Sequence, residues 1–217
     1  AAGLAGFAKG IPNRRPAAAG GVFFHVVCSG YRTTDDTAIT DGMKLECYDS
    51  RMNPGRILQI MNEHDVDYLL IGGLNFFLRH DPVATLDVDL WIADSEENRR
   101  RCEHALAELD AEWGKGDEDW GPVADKNPDW LNHQSVFCLL SPHGAIDIFL
   151  SVAGLADWQA CASRALREEI SEGVEYLGLA DEDMLLCQQA LEPAMQRKDR
   201  MARLQQALAG EGEYDEE

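Results

Sequence analysis

The sequence predicts an α+β fold with flanking helices and a helical C-terminal part, and three stretches carry that prediction. Residues 68–92 read as an apolar strand, a Gly72-Gly73 turn, a short helix, a loop through Pro82 and a second strand. Residues 135–140 (SVFCLL) and 145–150 (AIDIFL) read as two strands joined by the turn Ser-Pro-His-Gly. Beyond Gly154 the patterning is mainly helical. Strands and helices segregated in this way suit an α+β layering.

Taken in order, residues 1–42 are rich in Gly and Ala, contain Pro12 and Pro16, and keep no sustained period of 2 or 3.6. Only residues 22–27 (VFFHVV) have strand character there, and the segment is expected to be a disordered or non-native extension. The domain is expected over residues 43–209, with a core over about 54–150 and a helical part over about 155–209. From Pro54, Ile57, Leu58, Ile60, Met61 and Val66 suit one amphipathic helix, with Asn53 as N-cap and Pro54 at the first helical position. A strand over 68–71, a helix over 74–79 and a strand over 87–92 follow. Ser95 is an apt N-cap for a helix through Cys102, Leu106 and Leu109, with Glu96 and Glu97 in its first turn. Residues 113–133, with Trp113, Trp120 and Trp130, read as a long loop. The helical part divides into a helix over 156–170, a short strand over 174–177, and helices over 181–190 and 193–209. Arg197, Lys198, Arg200 and Arg203 form its concentrated basic cluster. Residues 210–217 form an acidic tail, with five acids in its last seven residues, expected to be solvated and disordered.

At 217 residues and 45% hydrophobic content, the chain suits one full globular domain, or one domain with a small helical appendage. No apolar run approaches the roughly 20 residues that span a bilayer, and the N-terminal residues lack the order of a signal peptide. Six cysteines are scattered without a C-x-x-C pair. Cys102, Cys138 and Cys187 fall in amphipathic or apolar segments, so buried reduced thiols and a cytoplasmic location are expected. Lys and Arg number 19 against 39 Asp and Glu, a net charge of −20. That balance argues against broad, sequence-blind nucleic-acid binding, which depends on cations neutralising phosphates.

The sharpest chemical signal is Asp87-Val88-Asp89. Strand side chains alternate, so both carboxylates face one way while Val88 and Leu90 face a core. Two acids on one face repel, and a hard cation such as Mg²⁺ that also carries substrate phosphates relieves this. Asp147, among Ile146, Ile148 and Phe149, is a lone acid in an apolar strand, costly to bury without a partner. Its partner is expected to be the site of Asp87 and Asp89. Blander readings stand beside these: Gly72-Gly73 as a tight turn, the Asp pair as a solvated strand face, and Thr85 as a cap. Arg197 and Lys198 read first as a solvent-facing helix pair. His64, His80 and His133 suggest no ligand set.

These residues together resemble the nucleotidyltransferase superfamily with the DNA polymerase β-like fold, and more nearly its small bacterial minimal nucleotidyltransferase and abortive-infection toxin-type members. That pattern is a strand, Gly-Gly or Gly-Ser, a short helix, Asp-hydrophobic-Asp, and a third Asp on a later strand. Gly72-Gly73, Thr85 to Leu90 and Ile146-Asp147-Ile148 match it, and Arg197-Lys198-Asp199 resembles its later R-x-K-D segment. The likeness covers about residues 54–205. It departs at Val83 and Ala84, where many relatives carry Arg, and at Gln188 or Gln189, where a Lys is common. Arg79 or Lys198 could compensate.

The resemblance implies a mixed β-sheet nucleotidyltransferase core that moves a nucleoside monophosphate from an NTP to a hydroxyl and releases pyrophosphate. It implies Asp87, Asp89 and Asp147 as catalytic metal ligands for Mg²⁺, two ions, with Mn²⁺ as the substitute. Gly72, Gly73, Thr85 and Lys198 would meet nucleotide phosphates. The acceptor would be a tRNA end, a protein or a small molecule such as an aminoglycoside. A toxin role with a cognate antitoxin is one implied setting; a degenerate nucleotide- or protein-binding member is the rival.

Overall fold

The structure, a computed structural model, describes residues 52–116 and 118–211. The strand expected over residues 22–27, Cys28, Cys47 and the chain beyond Glu211 lie outside the described residues.

Helix α1 (Pro54–Glu63) begins as its sequence dictates: the Asn53 side chain accepts the Arg56 amide at 3.0 Å, and Pro54 occupies the first turn. Ile57, Leu58, Ile60 and Met61 are its buried stripe. Asp65, at φ 51, turns the chain into strand β1 (Tyr68–Ile71), buried along its whole length. Helix α2 (Gly72–Arg79) follows at once, starting two residues earlier than expected, and strand β2 (Asp87–Ile92) returns antiparallel to β1.

Helix α3 (Glu96–Glu108) is capped by Ser95, whose hydroxyl accepts the Asn98 amide at 3.2 Å. Asn98 is itself fully buried. Its side chain donates to the Asp67 and Ala93 carbonyls and accepts the Asp67 amide, pinning α3 to the entry of β1. Every polar atom of that buried amide is thereby paired.

The 113–133 stretch is more ordered than a loop. It contains the two-residue strands β3 (Glu112–Trp113) and β4 (Gly121–Pro122) and two 3-10 turns, Val123–Asp125 and Trp130–Asn132. Trp113 and Trp130 stack at 5.1 Å and meet Phe137, so Trp130 serves the core. Strands β5 (Val136–Ser141) and β6 (Gly144–Phe149) form the expected hairpin, with Gly144 at φ +122 in the turn.

The helix expected over 156–170 is not formed as one element. Helix α4 (Trp158–Arg164), capped by Asp157, gives way to strand β7 (Leu166–Ser171), which pairs antiparallel with β8 (Val174–Gly178) around Gly173 at φ +76. Leu, Arg and Glu favour helix locally, but pairing with β8 overrides that preference. A charged strand also suits the exposed sheet edge that β7 occupies. Helix α5 (Asp181–Ala190) falls where expected. The next helix, α6 (Lys198–Glu211), starts five residues later than expected. Pro193 lies in a turn where the Gln196 side chain donates to the Leu191 carbonyl and the Arg197 amide donates to Gln188.

Among the described residues, eight strands form one mixed sheet in the order β4-β3-β5-β6-β2-β1-β8-β7. The β2–β6 and β1–β8 pairs are parallel and the rest antiparallel. Alternation along the strands divides the core in two. Leu70, Val88, Leu90, Ile146 and Ile148 pack with α1 and α3 on one face. Leu69, Ile71, Trp91 and Phe149 pack with residues of α4, α5 and α6 on the other. No helix among the described residues is long and apolar enough to cross a membrane.

Two ion pairs hold the helices of the second face. Arg164 of α4 forks onto Asp183 of α5 at 2.6 and 2.9 Å, and Asp183 is fully buried. Arg79 and His80, ending α2, meet the buried Asp181 at 2.6 and 3.0 Å. Asp183 is fully buried while Arg164 reaches it from a part-exposed position, so removing Arg164 strands the Asp183 charge. Arg164→Ala should therefore lower the midpoint of chemical denaturation, with Arg164→Lys recovering only part.

Candidate metal centre

Asp87 and Asp89 leave β2 on the second face of the sheet, because Val88 and Leu90 are fully buried on the first. In the parallel β2–β6 ladder, Asp89 is the direct partner of Asp147, and Asp87 is the partner of Ala145. Paired residues share a face, so the third acid is delivered by register. Carboxylate oxygens from Asp87, Asp89 and Asp147 all lie within 4.8 Å of one another, and each residue is partly buried. Three hard oxygen donors at this spacing can hold a metal ion.

Burial raises the Asp89 pKa well above its ordinary value, and the neighbouring charges of Asp87 and Asp147 raise it further. The Gly73 amide, donating to its carboxylate, and the Arg200 charge oppose these effects without cancelling them. The site is thus short of positive charge, the condition a divalent cation would relieve.

The glycine pair is required by close approach. Gly72 has φ +70, and a Cβ there would lie 1.9 Å from Asp89 Oδ2. A Cβ at Gly73 would lie 2.8 Å from the Thr85 hydroxyl. Thr85 is buried, and its hydroxyl lies 3.4 Å from both the carbonyl and the carboxylate of Asp87. Gly72, Gly73, Thr85 and the three acids are therefore one packed unit. Lys198 is exposed at the first position of α6.

The α6 cation that acts on the acids is Arg200, which was not singled out among its basic neighbours. Its Nη1 lies 3.8 Å from the Gly73 Cβ position, and its guanidinium stands 5.5 Å from the Phe76 ring centre. Helical spacing held the signal. Arg200 is four residues before Leu204, which is 1% exposed, so the two share the core-facing stripe, whereas Lys198 falls off it. The compensating role considered for Arg79 does not hold. Its guanidinium is committed to Asp181 and to the Leu179 carbonyl.

Beside Gly72, an apolar cavity of about 50 Å³ is lined by Ile71, Phe76, Met184 and Leu204, with Gln188 and Arg200 among its polar walls. It is far below the roughly 300 Å³ of a nucleoside-sized pocket. A wider recess of about 630 Å³ lies by Arg79, His80 and Arg203, whose side chains face Asp181 and Asp81.

The cysteines depart from expectation at Cys138 and in part at Cys187, which is half-buried. Cys102 and Cys161 are buried, but Cys138 is exposed, because it sits on β5 opposite Asp147 on the open second face. Burial pushes the thiols of Cys161 and Cys187 up to about 11 and about 12, which keeps them protonated at neutral pH.

No family model matches the chain, and no curated protein matches its sequence.

Two outcomes follow from the geometry. Because folding raises the Asp89 pKa above its ordinary 3.8, the metal-free fold binds that proton more tightly than the unfolded chain. Its contribution is complete below that value and is lost as pH rises through the raised one. Metal-free wild type should lose stability relative to Asp89→Asn as pH rises from about 4 to 8, a gap of a few degrees in Tm that added Mn²⁺ narrows. Gly72→Ala should lower Tm and weaken Mn²⁺ binding at least tenfold by displacing the Asp89 carboxylate, measured by calorimetry.

Proposed function

We propose that the protein is a metal-dependent nucleotidyltransferase that transfers a nucleoside monophosphate from an NTP to a hydroxyl. The observation that carries this reading is the register of Asp89 against Asp147 beside the glycine pair, which gathers three carboxylates at a strand-to-helix turn. The donor set fits Mg²⁺, with Mn²⁺ as substitute: three carboxylates, one of them desolvated and crowded by like charge. Two such ions bound there would neutralise the triphosphate and lower the pKa of the acceptor hydroxyl.

The chain's own residues supply positioning. Asp87 and Asp89 would hold the metal ions, while Asp147, on the neighbouring strand, takes the proton of the attacking hydroxyl. The hydroxyl oxygen forms a bond to the α-phosphorus, the bond from that phosphorus to the β-phosphate oxygen breaks, and pyrophosphate leaves with the electron pair. Arg200 stands where it can meet phosphate charge, a task that the resemblance gives to Lys198. Thr85 holds Asp87 in place and closes the packing against Gly73. Since the neighbouring cavity is small, the nucleoside lies on the open side of the sheet unless α5 and α6 part. A toxin acting beside a cognate antitoxin is one setting for this chemistry.

A second reading is a nucleotide- or protein-binding member without turnover. It is favoured by Gln188, which is used to hold the start of α6, and by Arg79, which is sequestered in its ion pair.

Incubation with each α-³²P-labelled NTP, Mg²⁺ and mixed RNA and protein acceptors decides between them. Wild type should label an acceptor, and Asp89→Asn should reduce the label about a hundredfold or more. Nucleotide binding without label under any condition would favour the binding-only reading.

A further inference from the structure

The register that assembles the acids continues outward across the sheet. Asp87 pairs with Ala145, Ala145 with Leu140, Leu140 with Glu112, and Glu112 with Pro122. These residues form one row on the second face, running from the metal centre to the β4 edge. The adjacent row runs from Asp89 through Asp147 to Cys138. Leu140 is 55% exposed and Trp120 40% exposed, and the Trp120 indole donates to Glu112 at 3.0 Å. Cys138, Glu112 and Pro122 are exposed as well. The helices that cover the second face pack over the other half of the sheet, around Leu69, Ile71, Trp91 and Leu179.

Neither row contains Lys or Arg. Lys126 stands over the Trp113 ring, which belongs to the first-face core. In sequence, Lys115 is followed closely by Asp117, Glu118 and Asp119. The floor leading away from the acids is therefore apolar and then acidic. A nucleic-acid backbone laid along it would meet carboxylates without the cations that such binding requires. An exposed aliphatic and an amphipathic aromatic side chain beside a carboxylate instead suit a protein chain.

We propose that the acceptor is a protein segment whose Ser, Thr or Tyr hydroxyl reaches the acids while its flanking residues cross this floor, an apolar one over Leu140 and a basic one at Glu112. The proposal rests on the transferase reading and names its acceptor class. Strand spacing of about 4.8 Å places Leu140 roughly 10 Å and Glu112 roughly 14 Å from β2. An extended peptide, at about 3.4 Å per residue, spans these distances in roughly three and four residues. The transfer joins the hydroxyl oxygen to the α-phosphorus, releases pyrophosphate and passes the proton to a site carboxylate.

The test uses the full chain with labelled NTP and three acceptor sets. The first holds peptides with one hydroxyl residue, Leu three positions away and Lys four positions away; the second replaces Lys with Asp; the third is total tRNA. Binding of Mn²⁺ and NTP to the same preparation is measured in parallel. The proposal expects label on the Lys peptides at least tenfold above the Asp peptides and the tRNA. It also expects Glu112→Lys to reverse the charge preference, a gain that misfolding cannot mimic. Label chiefly on tRNA, equal label on both peptide charges, or no peptide label from a chain that binds Mn²⁺ and NTP would overturn the protein acceptor and leave the metal site standing. A chain that binds neither would overturn both readings.

Discussion

Asp89 is caught between two other carboxylates with its own oxygens largely withdrawn from water, and the surrounding structure is arranged to keep it there. Like charges within 4.8 Å of one another and partly withdrawn from solvent cost free energy in any fold. Packed residues of similar volume would be more stable. Retaining the arrangement requires a rigid frame, which two central strands in parallel register provide. Val88, Leu90, Ile146 and Ile148, all fully buried behind the acids, fix the facing of the two strands. A slip of one residue in either strand would turn its acids into the apolar first-face core.

From that constraint the neighbouring choices follow. Asp89 lies so close to the chain at the end of β1 that a side chain at Gly72 would overlap it, and φ +70 excludes most other residues independently. The Gly73 amide then serves Asp89, and Thr85 fills the space that a bulkier residue at Gly73 would need. Arg200 brings partial compensation from α6, whose placement depends in turn on α5, held by Asp181 and Asp183 through Arg79 and Arg164. The ion pairs on the second face thus carry positional information toward the acids, although they do not touch them.

Much of this was legible in the sequence, for identifiable reasons. Helices α1 and α3 announced their starts through Asn53-Pro54 and Ser95, because capping is local chemistry. The Asp-Val-Asp alternation and the lone Asp147 were visible because an acid in an apolar strand violates the expected pattern. What sequence could not show was decided by pairing between distant segments. Residues 166–171 look helical until β8 is there to pair with them. Trp130 looks like a loop residue until Trp113 and Phe137 surround it. Cys138 reads as an interior thiol, but it is exposed, and among the described residues the helices of the second face pack over the other half of the sheet. Arg200 was hidden among four cations, and only the facing of α6 separates it from Lys198.

The central claim is that the three acids act together as one cation site. It is tested most directly by titrating Mn²⁺ into wild type and Asp147→Asn, with and without a non-hydrolysable NTP, and following free Mn²⁺ by electron paramagnetic resonance. The account predicts saturable binding, tightened by the nucleotide and weakened at least tenfold by the substitution. Absence of binding in the millimolar range, or binding that Asp147→Asn leaves unchanged, would contradict it.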